Sequence, residues 1–366
     1  MSRNTILSNI SVYSISHALV DAACAAIIFA IVAPGQDEYR NLLQLIIIYD
    51  ILAFSTQPIF GLLADTFRAP VRSAVLGILL IAASTLFLPI PLLAALMAGI
   101  GNALFHVGGG VISLNLASGK AALPGIYVAP GALGLMIGTW IGKGGHFIAW
   151  PFILLLLGSV VLILRTPKTE PAAPRELPGN LRWFETVILL LLVSIAIRSM
   201  VGLSLVLPWK SDPALLVALT LAVVLGKALG GILGDNFGWT TVAVSGLVIS
   251  APLLAFFAQI PAIAIPGIFL FNLSMPITLT CLAGMLPGKG GFAFGLTTLA
   301  LIIGAWPTFT QLHVLISHPI FIFATIFISI AALYGGLQLY ASHFSDRIPT
   351  PQYKTQPGEE GYRRML

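Results

Sequence analysis

Two residues that water would normally keep interrupt an apolar run, YSISHALVDAACAAII at 13–28: His17 and Asp21. They stand four apart, so a helix puts them on one face. A carboxylate and an imidazole are expensive in hydrocarbon and mark function when they occur there. The same spacing recurs at Asn102 and His106, and Asp50 and Gln57 are seven apart, again on one face. Arg198, Lys227 and Asn272 interrupt later apolar runs. The chemistry open to such a set is reversible protonation and recognition of charge. A buried carboxylate without a counter-ion takes up a proton, and imidazole titrates near neutrality. Asp21 and Asp50 against Arg198 and Lys227 make a neutral set that a wet cleft can hold.

Asp21, His17 and Asp50 are therefore the candidate proton carriers. His17, Asp21, Asn102, His106, Arg198 and Asn272 are the candidate contacts to a small-molecule substrate, flanked by Gln57 and Lys227. Arg198, at a depth comparable to Asp21, is expected across a cavity from it. His17, Asp21 and His106 are also three N/O donors of the kind that hold a first-row metal. A cation at Arg198 would oppose a divalent ion, so no metal site is expected and a metal carrier is the alternative. His146, His313, His318 and His343 lie near span ends and receive no role.

The elements that must position these residues are membrane helices. Charged residues are 8% of the 366 and hydrophobic ones 58%, with mean hydropathy +0.99. A soluble domain carries about 25% charged residues, so this chain belongs in a bilayer. Its net charge of +5 is scattered through loops and does not point to nucleic acid. Cys24 and Cys281 both fall in apolar spans and read as inert buried thiols rather than a disulfide framework.

A spanning helix needs roughly 20 mostly apolar residues. Spans are expected near 8–33, 39–64, 71–88, 91–116, 121–142, 146–165, 184–207, 212–236, 239–258, 261–285, 289–311 and 318–343. The first has no small-residue cleavage site and is read as a span, not a signal peptide. Thirteen of the 18 Lys and Arg residues fall in alternate loops and the two tails, against three, Arg40, Lys143 and Lys210, on the other side. Both chain ends are therefore expected in the cytoplasm. The polar, proline-rich 166–183 divides a first six-helix bundle, 1–165, from a second, 184–343, and 344–366 is a polar cytoplasmic tail.

The halves repeat. GLLAD at 61–65 matches GILGD at 231–235, an offset of 170 that also pairs Asn102 with Asn272, Gly125 with Gly295, Gly134 with Gly304 and Gln57 with Lys227. Parallel repeats place a substrate site between them at mid-depth. The glycine-rich HVGGGVI (106–112) and PGIYVAPGALGLMIG (124–138) lie within spans and are not phosphate loops. With Pro124, Pro130 and Pro276 they make helices 4, 5, 10 and 11 the expected bending parts.

QPIFGLLADTFRAPVR, 57–72, resembles the loop signature of the major facilitator superfamily. Gly61 lets helices approach, Asp65 accepts from a helix N-terminus, and Arg68 and Arg72 sit at the anionic leaflet. Asp235, in GGILGDNFGW (230–239), is the second copy; it lacks the basic residues, so the pair is expected to act unequally, leaning on Asp65. The resemblance implies an all-α membrane protein of twelve transmembrane helices in two pseudo-symmetric bundles, with helices 1, 4, 7 and 10 lining a cavity. SHALVD (16–21), QPIFGLLAD (57–65), GIGNALFH (99–106) and LASG (116–119) together resemble the fosmidomycin-resistance family of drug exporters. After the His, that family typically continues Pro-Glu-Ser-Ser-Arg where this chain reads HVGGGVI, so its coupling residue does not carry over.

What the resemblance implies is a proton-driven exporter; Arg198 and Lys227 favour a small anionic or zwitterionic organic compound or drug as its substrate, and the transporter is expected to be cofactor-free, monomeric and in the bacterial inner membrane. A non-transporting sensor or scaffold is the reading from another class. An enzyme is not expected, since neither a nucleophile elbow nor a metalloprotease helix occurs.

Overall fold

The structure is a computed structural model and describes residues 2–31, 38–145, 147–169 and 182–344. Most of the expected linker, the tail beyond 344, Arg40 and His146 lie outside the described side chains. Twelve helices follow one another: α1 Arg3–Ala30, α2 Leu43–Thr66, α3 Pro70–Phe87, α4 Pro91–Leu116, α5 Ala122–Lys143, α6 Ala149–Arg165, α7 Phe184–Ser204, α8 Pro213–Phe237, α9 Trp239–Phe256, α10 Pro261–Met285, α11 Gly290–Phe309 and α12 Pro319–His343. Eleven are long and apolar enough to cross a membrane, and α6 is a shorter apolar helix of 17 residues. Large apolar side chains such as Leu154, Leu162, Leu189 and Ile328 stand exposed on the outer face, where lipid is the solvent that tolerates them.

Two cores form. One gathers α1, α3, α4, α5 and α6 around Tyr13, Phe105 and Tyr127; the other gathers α7 to α12 around Leu191, Leu247 and Leu254. The halves meet where α2 packs on α11, α5 on α8, and α4 on α11. Contact there is backbone to backbone. A Cβ on Gly61 would run into the Gly291 carbonyl, and one on Gly231, its repeat partner, into the Ala121 carbonyl.

Prolines decide where helices break. In α5 the helix stops at Val128 and restarts at Gly131, around Pro130. Pro124 lies in the first turn, where a missing N–H costs little. In α10 the break falls between Asn272 and Ser274, ahead of Pro276. The helices α4 and α11 carry no such break here: α4 runs continuously through Gly108–Gly110 and α11 from Gly290 to Ala305. Those α4 glycines make room for neighbours; Gly109 and Gly110 face the rings of Tyr127 and Phe294. The sequence pattern does not anticipate the π-turn in α2 at Ile51–Ser55, directly after Asp50.

Candidate functional site

α1, α4 and α5 converge on one polar cluster. His17 Nε2 lies 3.3 Å from Asp21 Oδ2, and His106 Nε2 lies 3.4 Å from Asp21 Oδ1. The two imidazoles face each other, Nε2 to Nε2, at 2.8 Å, with rings nearly perpendicular. The outer nitrogens reach backbone: His17 Nδ1 to the Tyr127 carbonyl at 2.8 Å, His106 Nδ1 to the Asn102 carbonyl at 2.9 Å. Asn102 donates its amide to Asp21 Oδ1 at 3.3 Å. Asp21 is thus held by every polar neighbour that the two four-residue spacings predict, and all four residues are at least four-fifths buried.

Three contributors escaped the sequence reading. Tyr127 offers its carbonyl and packs its ring on His17, centroids 4.8 Å apart. Gly131 closes over the cluster; a Cβ there would sit 2.5 Å from both Asp21 Oδ2 and His17 Nε2. Ser14, one turn before His17, donates to the Ile126 carbonyl at 3.2 Å, the group whose helical partner would be the N–H that Pro130 lacks. The proline is the signal: it frees a carbonyl, and α1 answers it.

His17, Asp21 and His106 have the composition of a metal site and bring one ligand atom each to within 4.8 Å of the others, with the two imidazole nitrogens nearer than an ion between them would set them. Two imidazoles at about 2.05 Å from a tetrahedral ion stand about 3.3 Å apart, whereas these stand at 2.8 Å, a hydrogen-bond length.

The other expected residues lie elsewhere. Arg198 does not face Asp21. Its guanidinium donates to the Ser274 hydroxyl at 2.5 Å, to the Thr278 hydroxyl at 2.9 Å and to the Ser194 carbonyl at 3.3 Å. The cation of the second half whose charge reaches Asp21 is Lys227 on α8. Among the described residues the ion pairs are those of Asp21 with the two histidines. Asn272 donates to its own helix, at the Ile268 carbonyl. Gln57 is fully buried and donates to the Ala53 carbonyl, while its Oε1 finds no partner. Asp50 stands part-buried at the head of the π-turn.

The repeat explains the one-sidedness. Gly134 meets the Ala18 carbonyl and Gly304 meets that of Ala196, which sets Ile195 and Ser199 as the counterparts of His17 and Asp21. His106 corresponds to Pro276 by the 170 offset. Among the described residues the second half keeps the frame and shows no group like His17, Asp21 and His106.

Loop residues join the halves at the end of the bundle where α2 and α8 finish and α5 and α11 begin. Asp65 accepts from the N–H groups of Gly291 and Phe292, both at 2.9 Å. Asp235 accepts from those of Ala121 and Ala122, at 3.0 and 2.9 Å, and from the Trp239 indole at 3.0 Å. Each carboxylate caps the first turn of a helix in the opposite half, α11 and α5. Arg68, in the left-handed region at φ 49°, and Arg72 are exposed on the same side.

Comparison with solved structures finds the same architecture. The E. coli fucose:proton symporter FucP superposes with TM-score 0.67 at 12% identity, over 92% of this chain and 99% of that one. A bacterial homologue of the iron transporter ferroportin, in an outward-facing state, gives 0.60 at 14% identity, over 93% and 100%. The fold is that of the major facilitator superfamily. No family model and no curated protein matches the sequence.

Proposed function

We propose that this chain is a secondary transporter working by alternating access, exporting a small anionic or zwitterionic organic compound in exchange for protons. The observation that carries the reading is the reciprocal capping by Asp65 and Asp235. Each joins the two halves through backbone N–H bonds at one end of the bundle. Water can replace such bonds when that end opens, so the link is strong enough to hold and cheap enough to break.

Proton coupling rests on Asp21 between two imidazoles inside an apolar bundle, the setting in which a charge can cross only with a companion. A fucose:proton symporter shares the fold. Arg198, a buried guanidinium whose recorded partners are hydroxyls and a carbonyl, favours a substrate that brings negative charge. Export follows the resemblance to the fosmidomycin-resistance family, and the basic loops put both ends in the cytoplasm of a bacterium, with the monomer as the working unit. The alternative is a metal carrier using His17, Asp21 and His106; the 2.8 Å between the imidazole nitrogens, a hydrogen-bond length, favours the proton reading.

The test is flux in proteoliposomes under an imposed pH gradient, against a panel of labelled small anions, zwitterions and divalent metals. Gradient-driven movement of an organic anion or zwitterion is expected. Movement of metals alone, or of nothing in well-sealed vesicles holding folded protein, overturns the proposal.

A further inference from the structure

Hydrogen counting at the cluster goes further than its residue types, and it rests on the proton-coupled reading. The Tyr127 and Asn102 carbonyls accept and cannot donate, so Nδ1 of both His17 and His106 must carry hydrogen. In a neutral imidazole the other nitrogen is then bare. Both Nε2 atoms would face each other as lone pairs at 2.8 Å, with the Asp21 oxygens 3.3 and 3.4 Å away. That gathers four acceptors against one donor, the Asn102 amide. Such a cluster is electrostatically self-repelling unless one hydrogen is added.

We infer that His17 and His106 share one excess proton between their Nε2 atoms, with Asp21 remaining ionised as its counter-charge. The sum is neutral: one imidazolium, one carboxylate. The coupling proton therefore sits on the histidine pair and not on the Asp21 carboxyl. The surrounding groups are Cys24 on α1, Tyr49 on α2, Asn102 on α4, Tyr127 on α5 and Lys227 on α8. Lys227 is the other charge that reaches the pair.

The same proton is tied to the gate through α5. The segment Ala122–Val128 is gripped at its first N–H groups by Asp235 and near its last turn by His17, through the Tyr127 carbonyl. One short rigid piece thus has the proton site at one end and the closing contact at the other. When the proton leaves, the bare Nε2 atoms repel, and the displacement of His17 passes to the segment, and so to the contact at Asp235, through the Tyr127 carbonyl it still holds.

The test uses the full chain in lipid nanodiscs with ¹⁵N-labelled histidine. His17→Gln and His106→Gln identify the two signals among the six histidines. At pH 8, above the ordinary titration range of histidine, the pair is expected to show one imidazolium, with Asp21→Asn converting it to two neutral rings. Two neutral rings in the unaltered protein overturn the inference, as does an Asp21→Asn protein that keeps the imidazolium. A tetrahedral cobalt(II) absorption band that needs both histidines also overturns it, since it would make the site a metal site. An imidazolium without any gradient-driven flux defeats the transport reading and leaves this one standing; gradient-driven flux with two neutral rings does the reverse.

Discussion

Asp65 and Asp235 stand 170 residues apart and make the same pair of bonds with residues that are themselves 170 apart: Gly291 and Phe292 for one, Ala121 and Ala122 for the other. The basic residues Arg68 and Arg72 follow the first aspartate alone, which suggests an unequal clamp. In the structure both aspartates hold the opposite half through backbone N–H groups at helix ends, and such bonds need no arginine. Asp235 even has an additional donor in the Trp239 indole.

Asp65→Asn and Asp235→Asn should therefore open this end of the bundle to similar extents. Each loses the charge-assisted part of two hydrogen bonds, about 1–2 kcal/mol, a five- to thirtyfold population shift. Paired spin labels on the ends of α4 and α10 report the distance by pulsed electron-spin resonance. A shift from one variant alone would show that the clamp is lopsided after all.

Asp21→Asn should abolish gradient-driven transport and preserve exchange of labelled for unlabelled substrate. With the counter-charge gone, the pair has no reason to take up a proton, yet the carrier can still turn over when loaded on both sides. Uptake in proteoliposomes with and without a pH gradient separates the two activities. Full gradient-driven uptake by the variant would remove Asp21 from coupling.

The site was legible in the sequence to the extent that it is local. His17 with Asp21, and Asn102 with His106, announce themselves because four residues is one helical turn and an ionisable group in an apolar span needs a reason. Which helix faces which is not local. Arg198 matches Asp21 in depth, but rotation about the α7 axis aims it at Ser274 and Thr278, and nothing in the spacing of a nearly uniform apolar helix reveals that rotation. Tyr127 was missed because it acts through its backbone. The succession of apolar helices, in contrast, follows from hydropathy alone, since every peptide group in lipid must be hydrogen-bonded within its own helix.

Gly131 offers a test of the cluster's tight fit. A methyl group there would press on Asp21 and His17 together, both of which are fixed by their own hydrogen bonds. Gly131→Ala should cost about 1–3 kcal/mol, as overpacking does, and suppress gradient-driven flux. Gly202→Ala, where a Cβ meets nothing within 4 Å, should change neither. Thermal unfolding in detergent and flux in proteoliposomes give the two readings; a Gly131→Ala protein as active as the Gly202→Ala control would mean that the cluster tolerates being pushed apart.

Arg198 decides whether the second half recognises charge. Ser274 and Thr278 stand four apart on α10 and turn both hydroxyl oxygens to the guanidinium while donating their own hydrogens to carbonyls of Phe271 and Ser274. They orient Arg198 without neutralising it. The His17, His106 and Asp21 cluster comes to a net charge of zero once its proton is counted, which leaves Arg198 and Lys227 as the counter-charges open to a substrate anion, and Arg198 is the one held by neutral groups. Arg198→Gln should weaken binding of an anionic substrate by roughly 1.5–3 kcal/mol, the scale of a charge-assisted hydrogen bond, and leave exchange of a neutral analogue little changed. Ser274→Ala with Thr278→Ala keeps the charge and loses its aim, so it should weaken the anion by less. Binding is read by calorimetry on purified protein, beside the unfolding temperature of each variant. If Arg198→Gln lowers the unfolding temperature and leaves anion affinity unchanged, the guanidinium serves to pin α7 to α10, and the anionic preference must be sought at Lys227.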